Sequence, residues 1–244
     1  MPALQDESTI LAALQQGKIS LQGQFLNSSN YTFLCRVEDK TLAVEAVYKP
    51  RRGERALWDF PPGSLTRREV AAYLVRGALG WQLVPPTVFR RRKTPLGAGS
   101  LQAFIDHNPE YHYFRFTPQE RQRLRPVVVF DLLVNNADRK GGHILIDAQD
   151  HLWLIDHGVC FHVEPKLRTV VWDFAGEPIP KHLLHDVRRL HEALQSETTL
   201  RGELVSLLKP PEVDAVARRA ASLLSQARFP NPGSDHRPYP YPPV

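Results

Sequence analysis

The chain has 244 residues, of which 42% are hydrophobic and 23% are charged, and this balance excludes a chain that is disordered throughout. Apolar runs such as Val127 to Phe130 are far shorter than the roughly 20 residues that cross a bilayer, and the acidic, polar start of the chain is unlike a signal peptide. Two cysteines are too few for a disulfide scaffold, so we expect a cytoplasmic protein without a transmembrane segment.

The net charge of +5 favours anionic ligands in general, among them nucleotide phosphates, lipid headgroups and nucleic acid. The basic residues are not interleaved with aromatic residues, which argues against nucleic acid as a partner. They cluster at Arg51–Arg55, Arg67–Arg68, Arg90–Lys93 and Arg121–Arg125.

Hydrophobic spacing predicts a first half made mainly of strands around one long helix. Thr66 and Glu69 form a capping-box pattern, which predicts a helix that continues to about Gly80. The other elements predicted in this half are a helix over 6–17, strands within 24–49, a strand through Val88 and Phe89, and a strand over 101–105.

The second half is predicted to be mainly helical. Thr117 and Glu120 form another capping box, with Pro118 at the first helical position, and they predict one helix that runs through Val134. Two short strands over 143–146 and 152–155 follow, and then helices over 181–194, 198–208 and 212–228. The tail from Phe229 is rich in proline, and we expect it to be extended or disordered. The separation of strands from helices predicts an α+β fold with two lobes and a cleft between them.

The two short strands over 143–146 and 152–155 form a predicted hairpin, and two aspartates beside it are candidate site residues. Asp138 precedes the first of the two strands and Asp156 leaves the second, so pairing of the strands brings both carboxylates to the same end. Two carboxylates beside basic residues suit chemistry on a metal–nucleotide complex. The alternative is a glycine-containing turn in which the aspartates cap backbone N–H groups.

A lysine and a glutamate add the other groups that phosphoryl transfer needs. Lys49 ends a predicted strand, and Glu69 lies on the next helix, where it could fix the position of the lysine. Taken alone, Lys49 is an exposed charge at a strand end and Glu69 is part of a helix cap. The order lysine, glutamate, aspartate, aspartate favours the functional interpretation of all four.

The chain resembles the phosphatidylinositol 3-/4-kinase-like branch of the protein-kinase-like superfamily, and is most similar to type II phosphatidylinositol 4-kinases. The resemblance spans roughly residues 20 to 165, and we expect the chain to belong to a bacterial group within that branch. The segments that carry it are Asn27–Tyr31, Ala46–Pro50, Glu69–Val75, Leu83–Thr87, Gly99–Phe104, Asp131–Arg139 and Leu154–Phe161. It implies a bilobal kinase-like fold with a strand-rich N-lobe over 1–106, a mainly helical C-lobe over 107–228 and the tail over 229–244.

The resemblance also implies a role for each candidate residue. Lys49 would contact the ATP phosphates and Glu69 would position it, Asp138 would be the catalytic aspartate, and Asp156 would bind the metal. Asn27 and Asn30 stand where relatives carry glycine in the loop that covers the nucleotide. The remaining ATP-binding residues that it implies are Ser28 and Ser29 in that loop, and Gln102, Ala103, Phe104 and Ile105, whose backbone would hold the adenine.

One departure from the family pattern concerns the second metal ligand. The family usually has asparagine five positions after the catalytic aspartate, whereas this chain has His143. Mg²⁺ prefers oxygen ligands, and Mn²⁺ accepts nitrogen more readily. Three outcomes stay open: one Mg²⁺ held by Asp156 alone, a preference for Mn²⁺ with His143 as ligand, or nucleotide binding without catalysis. We expect an active enzyme with an altered metal preference.

The resemblance implies an ATP-dependent kinase that transfers the γ-phosphate to a hydroxyl group and uses Mg²⁺ or Mn²⁺. The acceptor is not identified by the sequence, and a protein, a lipid, a sugar or a small metabolite all remain open. The alternatives are a catalytically impaired pseudokinase that acts as a nucleotide-binding scaffold, or an enzyme that transfers AMP instead of phosphate. A binder of anionic surfaces is supported only by the charge balance.

Overall fold

The N-terminal part of the chain forms an antiparallel sheet. The structure is a computed structural model that describes residues 6–26, 30–195, 198–233 and 237–244. Its first five strands are β1 (Lys18–Gln24), β2 (Phe33–Glu38), β3 (Ala43–Pro50), β4 (Thr87–Arg90) and β5 (Gly99–Ala103). They form one sheet in the order β1-β2-β3-β5-β4, and every neighbouring pair is antiparallel.

Strand β1 begins earlier than the sequence predicts. It lies at the edge of the sheet, and almost all of its residues are exposed. An exposed edge strand lacks the alternation of apolar and polar residues by which a half-buried strand is recognised. The helix predicted over 6–17 is confirmed as α1 (Glu7–Gln16), which buries Ala13 and Leu14. The core of this lobe consists of Leu14, Cys35, Val37, Ala46, Tyr48, Val88, Leu101 and Ala103.

Helix α2 (Leu65–Leu79) has a different N-terminal cap from the predicted one. The carboxylate of Glu54 accepts from the backbone N–H of Leu65 at 3.1 Å and from the N–H and hydroxyl of Thr66, both at 2.9 Å. The predicted capping box between Thr66 and Glu69 is therefore wrong, because a carboxylate from the preceding loop takes its place. Glu69 is thereby free to face strand β3. The helix ends at Gly80, whose φ of 74° is the left-handed conformation that glycine favours.

The helix predicted from Thr117 to Val134 is divided into two. Helix α3 (Pro118–Gln122) has the predicted capping box between Thr117 and Glu120, and α4 (Arg125–Val134) starts anew with Pro126 in its first turn. A proline ring clashes with the carbonyl four residues earlier and offers no N–H, which disfavours one continuous helix and agrees with the break observed here.

The C-lobe is built from helices around a two-stranded hairpin. The hairpin pairs β6 (Ile144–Ile146) with β7 (Leu152–Leu154), and the helices that follow are α5 (Lys181–Gln195), α6 (Thr199–Leu207) and α7 (Pro210–Gln226). Their apolar faces share one large core with α2. Helix α2 thus connects the two lobes. Throughout the described ranges, every helix is too short or too polar to span a membrane.

Residues 237–244 of the tail form no helix or strand and pack on the C-lobe. The backbone N–H of Thr169 donates to Pro238 at 3.0 Å, and that of Gly141 donates to Pro243 at 2.8 Å. These contacts hold residues 237–244 beside the loop that carries Asp138.

Each lobe buries one cysteine. Cys35 lies in the core of the first lobe, where burial raises the pKa of its thiol to about 12, and Cys160 lies in the larger core, where burial raises the thiol pKa well above its ordinary value. Both thiols are free.

Candidate active site

Lys49 is placed between two carboxylates at the end of strand β3. Its Nζ lies 2.5 Å from Oε1 of Glu69 and 3.0 Å from Oδ1 of Asp156. Burial disfavours the ammonium charge, but the two carboxylates outweigh burial and raise the pKa of Lys49. The lysine is therefore charged, and three of the four predicted residues meet at one point.

Glu69 is held from two sides on helix α2. Its side chain is only 3% exposed, and besides the contact with Lys49 its Oε2 accepts from the backbone N–H of His157 at 2.9 Å. The carboxylate thus connects the lysine of the first lobe with the segment that follows strand β7. A buried carboxylate with two strong partners has little freedom to move.

Asp156 lies two residues beyond the end of strand β7, and its carboxylate faces Lys49. Its φ of 59° is left-handed, a conformation that aspartate tolerates better than most residues. The pKa of its carboxyl is lowered, mainly by the positive charge of Lys49, so the group is ionised. One oxygen faces Lys49, and the other lies 3.4 Å from Nε2 of His143.

His143 has a defined tautomer that suits a metal ligand. Its Nδ1 lies 3.0 Å from the backbone carbonyl oxygen of Asp138, and because that oxygen only accepts, Nδ1 carries the proton and donates it. Burial, aided by Arg139, lowers the pKa of His143 to about 4, so the ring is neutral at pH 7. Its Nε2 therefore directs a lone pair toward the carboxylate of Asp156. Two acceptors that face each other fit a divalent cation between them.

Asp138 lies in the loop before β6, near enough to Asp156 for the two carboxylates to interact. Its backbone N–H donates to Oδ1 of Asn136 at 2.9 Å, and its carboxylate lies 3.6 Å from Nζ of Lys140. Burial and the negative charge of Asp156 raise the pKa of Asp138 to about 6, although Lys140 opposes the shift. A carboxyl with a pKa near neutrality is suited to accept a proton from an attacking hydroxyl.

The predicted adenine-binding segment forms the end of β5 and the chain beyond it. The N–H of Ala103 donates to Pro86 and that of Phe104 donates to Glu45, both at 2.9 Å, so these two donors have partners within the protein. The side chain of Gln102 donates to the hydroxyl of Thr87 at 2.9 Å. In the described parts of the chain, the N–H of Ile105 makes no hydrogen bond.

The loop expected to cover the nucleotide is described only at its edge. Asn27, Ser28 and Ser29 lie outside the described residues. Beside them, Oδ1 of Asn30 accepts from the backbone N–H of Arg55 at 2.7 Å. The base of the loop is therefore attached to the segment that follows β3.

The comparison with known proteins decides the family. The model of the phosphatidylinositol 3- and 4-kinase family matches residues 63–211, more than half of the chain. The chain belongs to this family. It is 39% identical to Protein Rv2133c of Mycobacterium tuberculosis (strain ATCC 25618 / H37Rv), over 97% of this chain and 95% of that one. It is 34% identical to phosphatidylinositol 4-kinase gamma 4 of Oryza sativa subsp. japonica, over 46% of this chain and 23% of that protein.

Solved structures confirm the predicted fold class. The Golgi casein kinase, solved with Mn and ADP bound, matches with a TM-score of 0.53 at 16% identity, over 98% of this chain and 80% of that one. At this identity the likeness shows the fold alone. The fold is α+β and kinase-like, with a strand-rich lobe followed by a mainly helical one.

The structure shows that Arg139, which the sequence analysis did not single out, connects two parts of the candidate site. Arg139 is fully buried and forms an ion pair with Asp131 at 2.9 Å. It also donates to the carbonyl of Ile155 and to Nε2 of His157, both at 2.9 Å. One guanidinium therefore joins the loop of Asp138 to the segment of Asp156. The signal that could have revealed the pair is Asp131 itself, the single charged residue in an apolar stretch of α4.

Proposed function

We propose that this protein is an ATP-dependent phosphotransferase that transfers the γ-phosphate of ATP to a hydroxyl acceptor. The observation that carries the proposal is the position of Lys49, whose ammonium group is held by Glu69 on one side and Asp156 on the other. A lysine fixed in this way is placed to bind nucleotide phosphates. Membership of the kinase family supports the same reaction.

The residues divide the reaction between them. Asp138 orients the acceptor hydroxyl and takes its proton as the oxygen bonds to the γ-phosphorus, and ADP leaves with the electrons of the broken bond. Lys49 neutralises charge on the phosphates, and Glu69 holds Lys49 in place. The N–H of Ile105 is the free backbone donor for adenine in the expected segment.

Asp156 and His143 are the residues that would hold a divalent cation, which supplies charge neutralisation on the phosphates when it is bound. Within the described ranges, no group of three or more His, Cys, Asp or Glu side chains is arranged as a metal site. Asp156 and His143 would therefore supply two ligands, and the remaining ligands would have to come from outside the protein. The nitrogen of His143 favours Mn²⁺ over Mg²⁺.

Thermal melting with ligand tests nucleotide and metal binding. ATP with Mn²⁺, at about 100 times its dissociation constant, should stabilise the protein by roughly 2.7 kcal/mol, which is several degrees in Tm. The shift should vanish in Asp156→Ala and persist in the control Asp150→Ala, whose residue lies exposed on the turn between β6 and β7. An equal shift in both variants would place the nucleotide elsewhere.

Product analysis then tests the reaction itself. Purified protein is incubated with ATP, Mn²⁺ and candidate protein, lipid and small-molecule acceptors, and the release of ADP and pyrophosphate is measured. ADP that appears only with an acceptor supports phosphoryl transfer. Pyrophosphate would instead identify transfer of AMP, and nucleotide binding without either product would identify a pseudokinase.

A further inference from the structure

A cleft on the first lobe lies outside the candidate active site. It has a volume of about 480 Å³ and lies between the turn that follows β3, the loop that leads to α2, and the turn between β4 and β5. Its lining contains none of Lys49, Glu69, Asp138 or Asp156. The cleft is therefore a separate surface feature, although Arg51 at its wall is only two residues from Lys49.

Three arginines give the cleft a strong positive charge. Arg51, Arg52 and Arg55 line it with exposed side chains, and none of them has a carboxylate at ion-pair distance among the described residues. The acidic residue in the lining, Glu54, has both carboxylate oxygens occupied by the N-terminus of α2. Its charge is thus directed to the helix, and the guanidinium groups remain available to an anion.

The backbone makes room for one of these arginines. Gly63 has a φ of 72°, and a Cβ at this position would lie 2.1 Å from Nε and 2.8 Å from Cζ of Arg51. The Arg51 side chain therefore lies against bare backbone in the wall of the cleft. The backbone N–H of Arg51 is also fixed, because it donates to Ala98 at 2.8 Å. The backbone of Arg51 is thus fixed at the wall, and its guanidinium packs on the backbone at Gly63.

The rest of the wall is apolar. Leu57, Phe60, Leu65 and Leu96 line the cleft beside the arginines. Guanidinium groups bind phosphate oxygens through paired N–H donors, and apolar side chains accept a hydrocarbon part of the same ligand. We propose that this arginine cleft binds a phosphate monoester that carries an apolar substituent. The ligand is either the phosphate of a lipid headgroup or a free phosphorylated metabolite.

Calorimetric titration with phenyl phosphate, a soluble phosphate with an apolar ring, tests the site. We expect binding by the full chain and a loss of at least about tenfold in affinity in Arg51→Gln/Arg52→Gln/Arg55→Gln. The matched control is Arg91→Gln/Arg92→Gln/Arg188→Gln, which removes equal charge from exposed positions outside the cleft and should change affinity by less than about twofold. An equal loss in both triple variants would overturn the proposal, because binding would then follow net charge.

Lys49→Met separates this site from the nucleotide site. Phenyl phosphate should bind Lys49→Met as it binds the natural chain, whereas ATP binding should be lost. If phenyl phosphate binding disappears in Lys49→Met and survives in the cleft variant, the probe occupies the nucleotide site and the proposal fails. The cleft proposal does not depend on the proposed reaction, so the two can fail independently.

Flotation with vesicles assigns the source of the phosphate. Vesicles of phosphatidylcholine with about 20 mol% phosphatidic acid are compared with vesicles of phosphatidylcholine alone. Recruitment by phosphatidic acid that is lost in the cleft variant and kept in the control variant identifies a lipid headgroup. Binding of phenyl phosphate without recruitment identifies a soluble phosphate ester. Failure of the natural chain to bind either probe overturns the proposal.

Discussion

At the scale of single residues, the site depends on charges that the protein brings close together before any ligand binds. Asp138 and Asp156 are near enough that the negative charge of one contributes to the raised pKa of the other. The positive charge of Lys49 offsets the negative charge of Asp156, and Lys49 also forms an ion pair with Glu69. Asp138 lies apart from this ion-pair group and has Lys140 as its cationic partner, so its substitution leaves the contacts of Lys49 in place.

Asp138→Asn should lower turnover by about 10²–10⁴-fold while ATP binding is retained, because the amide cannot accept the proton of the acceptor hydroxyl. ADP release and calorimetric ATP titration measure the two quantities. Loss of ATP binding to the same extent as turnover would contradict a role in proton transfer.

The raised pKa of Asp138 also predicts how stability depends on pH. The folded pKa of about 6 exceeds the ordinary 3.8, so the folded state favours the protonated carboxyl. The associated stability is complete below about pH 4 and is lost as the pH rises through 6. Without ligand, the Tm of Asp138→Asn relative to the natural chain should therefore rise between pH 5 and pH 8. A difference in Tm that stays constant with pH would rule out this shift.

His143 governs the choice of metal in our proposal. His143→Asn replaces a nitrogen ligand by an oxygen ligand, so the ratio of the rate with Mn²⁺ to the rate with Mg²⁺ should fall by about tenfold. The control His182→Asn changes an exposed histidine on α5 and should leave the ratio unchanged. Equal ratios in the natural chain and His143→Asn would exclude His143 as a ligand.

At the scale of elements, helix α2 is positioned by contacts from outside itself. Glu54→Gln removes the negative charge at its N-terminus and should cost about 1–2 kcal/mol, or a few degrees in Tm. Glu110→Gln is the matched control, since Glu110 is highly exposed and its ion pair with Arg115 spans 3.7 Å. Thermal unfolding monitored by circular dichroism measures both, and a similar effect of the two changes would contradict the capping role of Glu54.

Local signals in the sequence predict many of the helices and their ends correctly. The capping box of Thr117, the glycine after α2 and the spacing of apolar residues in α5 and α7 all act within one or two turns, and the structure confirms those elements. The cap of α2 was missed because Glu54 lies 11 residues from Leu65, in a loop without a recognisable pattern. Spacing alone cannot show which distant carboxylate reaches a helix end.

In the candidate site too, local patterns in the sequence point to some residues and miss others. Asp138 and Asp156 were found because a hairpin joins them, and the order of residues pointed to Lys49 and Glu69. Arg139 was not found, because its partners lie on α4 and in the segment after β7, and a buried ion pair is defined only by packing. The resemblance named Ile105 together with three neighbours, but it could not show that the N–H groups of Ala103 and Phe104 are already used within the protein.

At the scale of the whole molecule, a buried ion pair joins the two lobes. Nη2 of Arg68 on α2 lies 2.5 Å from Oε1 of Glu212 on α7, 144 residues away, and its Nη1 donates to the carbonyl of Cys160 at 2.6 Å. The side chains are only 1% and 8% exposed. The helix that carries Glu69 is therefore anchored to the far end of the chain.

Arg68→Met should lower the free energy of unfolding by about 3–5 kcal/mol, or roughly 10 °C in Tm, because it leaves the carboxylate of Glu212 buried without its partner. Arg123→Met, in the exposed pair with Asp150, is the control and should cost less than about 1 kcal/mol. Denaturant unfolding measures both. Equal losses would mean that the buried pair does not hold the lobes together.

The two buried thiols can be used to measure how often each lobe opens. Cys35 belongs to the core of the first lobe and Cys160 to that of the second. A thiol reagent reaches either cysteine only when its lobe opens. The two rates of modification therefore report the opening of each lobe separately. A nucleotide that bridges the lobes would slow both rates together, whereas a ligand of one lobe would slow one of them.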